Sequence, residues 1–574
     1  MIEIAQGTVH VTAPDPAPGA TVLEALAPYA AISIVAPCGG KARCGKCVVS
    51  LPDGAPEPSA ADRRFLTPEA LARNERLACA CRAAGITRIV VPSRDTRAHF
   101  KDAIPHFEEP PNVWPRAAAA GSHAVAIDIG TTTVAAYLVD TTGADTFADK
   151  APATIGTAGA VIAVTAEMNR QAIYGADVLS RISYSEQHPE GLTRLATVIR
   201  AQLAEMIATL ATDAGVAAPA SASSLSAGPT RPDAPAIGIV VVTANTTMLH
   251  LLADVSPAGI GRAPFVPEFV ERRELSATEL GLPAAGPVIL LPSRAAYVGA
   301  DIMSAAVAVD MDRDPRSTLL VDIGTNGELA LSHDGTVYTC ATAAGPAFEG
   351  ASISAGVGGI SGAIASWQRR GTELAFETIE NSAPVGVCGS GLLDLVASLL
   401  DDGIVDETGR MISDDPEEIA EIENADARAA WAPRLGEHDG EPAVVMAGDH
   451  RFTQGDVREV QLAKAAIAAG IEVLCAEAGI AVADIGRLVL TGGFGNHLRV
   501  NSAVRVGLLP TLPEERYVTV DNAAGRGAIG VIRTDGTMER TEKLALQARY
   551  IELSGHALFQ ERYIEQMMFS EEEL

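Results

Sequence analysis

One strand-and-turn pattern occurs twice in this chain, in two widely separated places. Residues 124–133 read Ala-Val-Ala-Ile-Asp-Ile-Gly-Thr-Thr-Thr, and residues 318–327 read Thr-Leu-Leu-Val-Asp-Ile-Gly-Thr-Asn-Gly. Each copy is an apolar strand that runs into Asp-Ile-Gly-Thr. An internal repeat of this kind predicts a duplicated domain, in which each lobe brings one strand and turn to a shared cleft.

The rest of the chain has the alternation that is typical of an α/β protein. Apolar, β-branched stretches alternate with Ala-rich helical patterns such as residues 460–478. At 574 residues the chain also exceeds what one hydrophobic core usually organises. We predict an α/β multidomain protein with domains at 1–95, 123–236 and 237–574. Prolines at 105, 110, 111 and 115 predict an extended linker at 96–122, and the Ala/Ser/Pro tract 217–235 predicts a solvated loop.

Five of the eight cysteines lie between Cys38 and Cys81, which a disulfide framework in a cytosolic protein would not explain. Cys38, Cys44 and Cys47 form a C-x5-C-x2-C loop that contains three glycines, and Cys79 follows Arg-Leu-Ala in a later segment. Four thiolates are the ligand set of a 2Fe-2S cluster. Cys81 leaves the fourth ligand open, and a structural zinc site or reduced bystander thiols are the alternatives.

This cysteine pattern resembles the ferredoxins of the adrenodoxin and putidaredoxin type over the first 95 residues. The resemblance implies a β-grasp fold. Cys47–Leu51 and Ile86–Val91 are rich in β-branched residues and predict strands, and the capping-box spacing of Thr21 and Glu24 predicts a helix that begins at Thr21. Residues 40–47 also fit the G-x4-G-K pattern of a P-loop. We interpret that match as coincidence, because Cys47 stands where Mg²⁺ needs a hydroxyl.

The two Asp-Ile-Gly-Thr turns place backbone N–H groups and hydroxyls where phosphate oxygens can bind. We expect Asp128 and Asp322 to hold Mg²⁺ through waters, and the strand and glycine turn at Leu488–Asn496 to lie against adenosine. Glu328 is a candidate to orient the attacking water, with a plain surface carboxylate as the alternative. The other expected nucleotide-binding residues are Gly130, Thr131, Thr132, Gly324, Thr325, Asn326, Gly327, Gly492, Gly493 and Gly495.

The order of these motifs resembles the phosphate-1, phosphate-2 and adenosine motifs of the actin, heat-shock ATPase and sugar-kinase superfamily. The resemblance implies a duplicated, ribonuclease-H-like ATPase of two lobes that uses ATP and Mg²⁺. A single D-x-G-T turn would be weak evidence, since any strand can end in a glycine turn.

A ferredoxin module followed by a linker and this ATPase resembles the reductive activators of corrinoid proteins. Such activators return an electron to stalled Co(II) and regenerate Co(I), so the resemblance implies a corrinoid-binding methyl-transfer protein and an upstream reductase or ferredoxin as partners. A homodimer is also possible. Further stretches that carry the resemblance are Asn169–Arg181, Asn245–His250, Tyr297–Asp301, Ala344–Gly350, Cys388–Gly391 and Gln461–Lys464.

Two interpretations of Cys388-Gly-Ser390-Gly391 stay open: a loop that touches nucleotide, or one that offers an oxygen to the partner's cobalt. Cys340 and Cys475 lie in apolar patterns and are expected to be buried fillers.

Three other functions compete with this interpretation. They are an activator of a radical dehydratase, a small-molecule kinase with a redox-sensing ferredoxin domain, and a non-enzymatic electron-transfer or scaffold protein. The formal charge of −29 argues against binding to nucleic acid or to anionic membranes. The N-terminus has no signal-peptide pattern and the chain has no long uninterrupted apolar run, so we expect a cytoplasmic protein.

Overall fold

The computed structural model describes residues 1–7, 9–27, 45–92, 112–142, 159–216, 237–324, 326–350, 352–492 and 498–569, together with positions 29, 32, 34, 36, 40 and 42. The predicted loop at 217–235 lies outside the described residues, as do the candidate site residues Cys38, Cys44, Thr325, Gly493 and Gly495.

The N-terminal module is built on a five-stranded sheet in the order β2-β1-β5-β3-β4, with β1 parallel to β5. This arrangement confirms the β-grasp fold. The first helix begins after Thr21, whose side chain and that of Glu24 form the predicted capping box. The elements are β1 Ile2–Gln6, β2 Val9–Ala13, α1 Val22–Leu26, β3 Val48–Ser50, α2 Ala60–Phe65, α3 Pro68–Ala72, β4 Glu75–Leu77 and β5 Arg88–Val90.

The predicted linker is wrong at its C-terminal end. Val113 and Trp114 are buried in the core of the lobe that follows, and residues Pro115–Ala120 form a short helix, α4. The backbone N–H of Trp114 also donates to the carbonyl of Ile532 at 3.0 Å. Apolar side chains among the prolines therefore fix residues 112–120 to the ATPase.

The first ATPase lobe contains a six-stranded sheet in the order β10-β11-β9-β6-β7-β8. Its central strand, β9, lies parallel to both β6 and β11 and is buried along its whole length, as strands covered on both faces are. The elements are β6 His123–Ile129, β7 Thr133–Asp140, β8 Val161–Met168, α5 Val178–Gln187, α6 Gly191–Asp213, β9 Ile237–Ala244, α7 Thr246–Ala253, β10 Arg273–Ser276, α8 Ala277–Leu280, β11 Pro287–Leu290 and α9 Ala300–Ala308.

The expected division between residues 236 and 237 falls inside this sheet and has to be corrected. β9, β10 and β11 come after position 236, yet they pair with strands that come before it. The next sheet starts at Thr318, so the change of lobe lies between α9 and that residue.

The second lobe repeats the arrangement of the first. Its sheet has the order β22-β21-β12-β13-β14-β23, with three antiparallel strands followed by the parallel neighbours β21 and β22. The predicted duplication is thereby confirmed. The elements are β12 Thr318–Ile323, β13 Gly327–His333, β14 Thr336–Thr342, α13 Gln454–Ala478, β21 Arg487–Thr491, α14 Val500–Arg505, β22 Tyr517–Thr519, α15 Ala523–Arg533, α16 Thr537–Gln547, β23 Arg549–Tyr550 and α17 Ala557–Glu565.

An insertion between β14 and α13 adds two small three-stranded sheets beside the second lobe, one mixed and one antiparallel. Trp367 and Trp431 stack within its core, with their ring centroids 6.2 Å apart. The elements are β15 Ala363–Arg370, β16 Glu373–Thr378, β17 Gly386–Val387, α10 Gly389–Asp401, α11 Pro416–Ala420, α12 Ala425–Trp431, β18 Leu435–His438, β19 Glu441–Ala447 and β20 His450–Thr453.

Each lobe places one helix on the sheet of the other. Helix α9 follows the strands of the first lobe, but Met303 and Val307 pack with Leu320 of the second sheet. Helix α15 follows the strands of the second lobe, but Ile529 and Ile532 lie in the core of the first. The two helices pack against each other, with Gly527 of α15 against Ser304 of α9, and so join the lobes.

Helix α6 is the one described helix that is long and apolar enough to cross a membrane by length and composition. Half of its most apolar 18-residue stretch is buried, and Ile199, Leu203 and Met206 lie in the core of the first lobe. The helix therefore serves as a core element of that lobe.

Candidate functional site

Two of the predicted cluster ligands lie side by side at the edge of the ferredoxin sheet. Strands β3 and β4 pair Val48 with Leu77, and the N–H of Ala78 donates to the carbonyl of Cys47 at 2.7 Å. This register brings the sulfurs of Cys47 and Cys79 to 3.3 Å. Such a pair, beside a glycine-rich loop that carries two more thiols, fits a shared iron centre of the 2Fe-2S type.

A buried network holds the segment that leads to Cys79. The Arg76 guanidinium donates to the carbonyl of Pro56 at 2.7 and 2.9 Å, and Asp62 accepts from the N–H of Leu77 at 2.8 Å. The Arg-Leu-Ala sequence before Cys79 is thus anchored to α2 and to the loop that precedes this helix.

Cys81 has a different environment from Cys79. It is 3% exposed, and its sulfur donates to the carbonyl of Arg82 at 3.7 Å. Burial, with a smaller contribution from the charge of Asp62, raises the pKa of the thiol to about 11. A thiol that resists ionisation is a poor metal ligand.

The two repeated turns place their aspartates in equivalent positions. Asp128 pairs with Thr243 on the parallel strand β9, and Asp322 pairs with Thr491 on the parallel strand β21. The pseudo-symmetry of the sheets therefore brings the two carboxylates to the same cleft. Gly130 is required in the first turn, because a Cβ there would lie 2.7 Å from the carbonyl oxygen of Thr133.

Four carboxyl groups meet in this cleft; that of Glu328 is buried, and those of Asp128, Asp301 and Asp322 are half-buried. Burial, with a smaller contribution from the charge of Asp301, raises the pKa of Asp128 to about 8 and that of Asp322 to about 7. Burial likewise raises the pKa of Asp301 to about 6 and that of Glu328 well above its usual range. Carboxyl groups in this environment need a cation to remain ionised together, and their oxygens are the ligands that Mg²⁺ prefers.

Asp301 was not predicted from the sequence as a residue of this site. It lies in the first turn of α9, two residues after Gly299, whose substitution would put a Cβ 2.7 Å from Asp301 Oδ1 and 2.4 Å from Asn245 Cα. An acidic residue in the first turn of an apolar helix, after a glycine, was the available signal.

Three polar residues brace the first turn from neighbouring elements. Asn245 caps α7 and donates to Thr131 Oγ1 at 3.0 Å. Asn169 donates through Nδ2 to the carbonyl of Gly130 at 2.9 Å, and Arg181 donates to the carbonyl of Thr131 at 2.5 Å. Burial lowers the pKa of Arg181 to about 9. These contacts give a structural reason for the Asn169–Arg181 and Asn245–His250 stretches.

Two hydrogen bonds tie the first lobe to residues from the second half of the chain. Thr132 Oγ1 donates to Glu349 Oε1 at 2.9 Å, and Asn522 Nδ2 donates to the hydroxyl of Tyr137 at 2.9 Å. Asn522 also favours the charged form of Asp128 through a side-chain hydrogen bond. Glu349 and Asn522 were both missed as site residues, because neither stands in a repeated turn.

The second turn and the glycine turn after β21 lie against each other. Gly492 has a φ of +100°, and a Cβ there would lie 2.6 Å from Asp322 Oδ1. At Gly327 a Cβ would lie 2.6 Å from Thr342 Oγ1. A Cβ at Gly324 would meet only the carbonyl oxygen of Asn326, at 3.8 Å, which is an ordinary contact. Asn326 donates to Glu328 Oε1 at 3.2 Å and so orients that carboxyl group within the cleft.

The remaining sequence stretches have structural partners. Ser390 is buried and donates to the carbonyl of Ala365 at 2.8 Å. This contact does not distinguish a loop that touches nucleotide from one that offers an oxygen to cobalt, so both stay predictions. Gln461 Nε2 donates to the carbonyl of Met567 at 2.8 Å, and Lys464 Nζ donates to that of Met568, so these two residues hold the C-terminal segment. The expected burial of Cys340 and Cys475 is confirmed.

Family models match both the ferredoxin module and the two lobes that follow it. Three family models match: the 2Fe-2S iron-sulfur cluster binding domain at residues 4–84, the RACo middle region at 123–314, and the C-terminal domain of RACo, the ASKHA domain, at 316–574. The solved structure of a reductive activator for corrinoid, iron-sulfur protein aligns over 99% of this chain and 98% of its own, with a TM-score of 0.66 and 25% identity.

Two curated proteins are similar in sequence. The [Co(II) methylated amine-specific corrinoid protein] reductase of Methanosarcina barkeri is 24% identical over 39% of this chain and 40% of its own length. Corrinoid activation enzyme RamQ of Eubacterium limosum is 31% identical over 78% of this chain and 70% of its own length. The chain therefore belongs to the family of corrinoid activation enzymes in which a 2Fe-2S domain precedes the RACo middle region and the ASKHA domain.

Proposed function

We propose that this protein is an ATP-dependent reductive activator, which transfers one electron to the inactive Co(II) of a corrinoid-binding methyl-transfer protein and regenerates Co(I). The observation that carries the proposal is the presence, in one chain of this family, of a ferredoxin module and a duplicated ATPase with a cluster of carboxyl groups at its cleft.

The ferredoxin module would hold the electron donor. We assign Cys38, Cys44, Cys47 and Cys79 as its four thiolate ligands, supported by the 3.3 Å separation of the last two sulfurs. A bound 2Fe-2S cluster supplies a one-electron carrier. Arg76 and Asp62 keep the segment before Cys79 in place, so the ligand geometry does not have to be built anew when the carrier changes its charge.

The ATPase would bind the phosphates with the two Asp-Ile-Gly-Thr turns. Gly130, Thr131 and Thr132 offer N–H and hydroxyl groups from the first lobe, and Gly324 to Gly327 do so from the second. Asp128 and Asp322 would hold Mg²⁺ through waters. We assign Asp301 and Glu328 to orient the attacking water, because both lie in the same carboxyl cluster.

ATP is needed because Co(II) in such proteins is hard to reduce. Each 59 mV of unfavourable one-electron potential costs about 1.4 kcal/mol. ATP binding or hydrolysis can supply this free energy only if it favours a complex in which the cobalt environment has changed, which is a coupling between two sites. The Co(II) corrinoid protein should in turn alter the affinity for ATP.

We further propose that the partners are the corrinoid protein and an upstream reductase or ferredoxin, and that the protein works in the cytoplasm. The packing of α6 in the core of the first lobe supports a core position for this helix and not a membrane position.

The decisive experiment mixes reduced activator with Co(II) corrinoid protein and follows the absorbance of Co(I). ATP with Mg²⁺ should give Co(I), whereas ADP or no nucleotide should give little. Asp128→Asn is the matched variant, because it should lose the ATP-dependent yield and retain the cluster spectrum. Equal yields of Co(I) under all three conditions would exclude ATP-driven activation.

A further inference from the structure

One short segment, residues 169–181, holds the whole first phosphate-binding turn. The N–H of Asn169 donates to the carbonyl of Thr132 at 2.7 Å, and its side chain donates to that of Gly130 at 2.9 Å. Arg181 donates to the carbonyl of Thr131 at 2.5 Å. Two residues of this segment therefore bind three successive carbonyls of the turn and set the direction of its N–H groups.

The middle of the same segment lies against the ferredoxin module. Ile173 packs on the hydrophobic core of that module, and the Tyr174 hydroxyl is 3.4 Å from the carbonyl of Ala27, to which it donates. The ring of Tyr174 packs on that of Tyr184, with their centroids 4.9 Å apart. The ferredoxin module thus contacts the ATPase within a few residues of the phosphate-binding turn.

Between these contacts the segment is compact and well braced. Residues Arg170–Ile173 form a 3-10 helix that Asn169 caps, and the Gln171 side chain donates to the carbonyl of Leu195 at 3.1 Å. A Cβ on Gly175 would lie 2.6 Å from Ser180 Oγ and 2.7 Å from the backbone nitrogen of Arg181. A segment with so little free space moves as a unit, so a shift at one end reaches the other.

We propose that the ferredoxin module docks reversibly on Ile173 and Tyr174, and that ATP bound at the 130–132 turn strengthens this docking through the segment 169–181. The inference rests on the proposed nucleotide site. Docking fixes the segment, the fixed segment orders the turn, and an ordered turn presents its N–H groups to phosphate at a lower entropic cost. By linkage, loss of docking weakens ATP binding by the same factor by which ATP strengthens docking.

The first test measures ATP affinity by calorimetry on the full-length, cluster-containing protein. Ile173→Asp places a charge in the contact and should weaken ATP binding about five- to tenfold, within the usual range of such couplings. Leu546→Asp is the matched control: it adds the same charge on α16, outside the segment 169–181, where the side chain is 82% exposed, and should change the affinity less than about twofold. Tyr174→Ala is a second docking variant, and the visible cluster spectrum verifies that each variant is folded.

The reciprocal test uses the paramagnetism of the reduced cluster. A nitroxide attached at Gln187→Cys, on the exposed end of α5, relaxes faster when the ferredoxin module is docked. ATP with Mg²⁺ should increase the fast-relaxing fraction in the otherwise native protein and leave it unchanged when Ile173→Asp is added.

The outcomes separate the inference from the proposed function. If the native protein binds ATP, but Ile173→Asp and Tyr174→Ala bind it equally well and ATP does not change the nitroxide relaxation, the docking inference is overturned and the proposed function stands. If the native protein binds no ATP, both are overturned.

Discussion

Gly492 provides the sharpest test of how the second lobe positions its aspartate. The residue follows Thr491, which pairs with Asp322, and its φ of +100° is one that other residues rarely adopt. In Gly492→Ala the new Cβ would lie 2.6 Å from Asp322 Oδ1 and 2.7 Å from the carbonyl oxygen of Ile323. The second atom belongs to the backbone, so a rotamer change cannot relieve the contact.

The size of the effect follows from these distances. To reach an ordinary contact of 3.4 Å, the Asp322 carboxylate must retreat by about 0.8 Å from the new methyl group. A displacement of about 1 Å in a catalytic group can cost roughly a hundredfold in rate. We therefore expect kcat/KM for ATP to fall by about ten- to a hundredfold, while the cluster in the separate ferredoxin module keeps its spectrum.

The assay is phosphate release from ATP by purified Gly492→Ala, compared with Gly335→Ala. Gly335 lies in the turn between β13 and β14, has a φ of +74° and has no atom within 4 Å of an added Cβ. Both variants therefore carry similar backbone strain, about 1–2 kcal/mol, but only one of them pushes on Asp322. Equal ATPase activity in the two variants would refute the argument that Gly492 positions the carboxylate.

Three further predictions test other parts of the molecule. Cys79→Ser should lose the 2Fe-2S absorption and its iron. Cys81→Ser should keep both, because burial raises the pKa of the Cys81 thiol to about 11. The opposite pattern would show that Cys81 is the fourth ligand. Asp301→Asn should lower kcat for ATP about a hundredfold or more, and Asp334→Asn, at a side chain that is 92% exposed, should leave kcat unchanged. Burial lowers the pKa of Lys464 to about 8. While the Lys464 ammonium group is charged, it therefore destabilises the folded state by up to about 3 kcal/mol. This cost is fully present below pH 8 and is relieved as pH rises toward the unfolded pKa. Lys464→Met should therefore have a higher free energy of unfolding than the native protein at pH 7, and this difference should decrease between about pH 7 and 9.5. Denaturant unfolding followed by tryptophan fluorescence measures the difference. A difference that stays constant with pH would contradict the assigned burial.

Short patterns at strand ends predicted the fold and the family well. The capping box at Thr21, the two Asp-Ile-Gly-Thr turns and the buried Cys340 and Cys475 are local features, and each has the predicted position in the structure. Such features depend on the residues beside them in the chain, so one sequence is enough to find them.

The residues that sequence analysis missed come from distant parts of the chain. Asp301 reaches the cleft from α9, Glu349 from a 3-10 turn, and Asn522, with a φ of +35°, from the start of α15. No spacing rule links them to Asp128. The wrong boundary at 236/237 has the same origin, since only the strand register shows that β9 belongs between β6 and β11.

The exchange of helices between the lobes affects how the chain can fold while it is being synthesised. The last strand of the first sheet ends at Leu290, but α15, which supplies Ile529 and Ile532 to its core, ends at Arg533. At ordinary elongation rates the ribosome needs on the order of ten to fifty seconds to make the intervening chain. During that time one face of the first sheet lacks its native cover, so this protein should depend on chaperones at an intermediate stage of translation, and a fragment that ends near residue 314 should be poorly soluble.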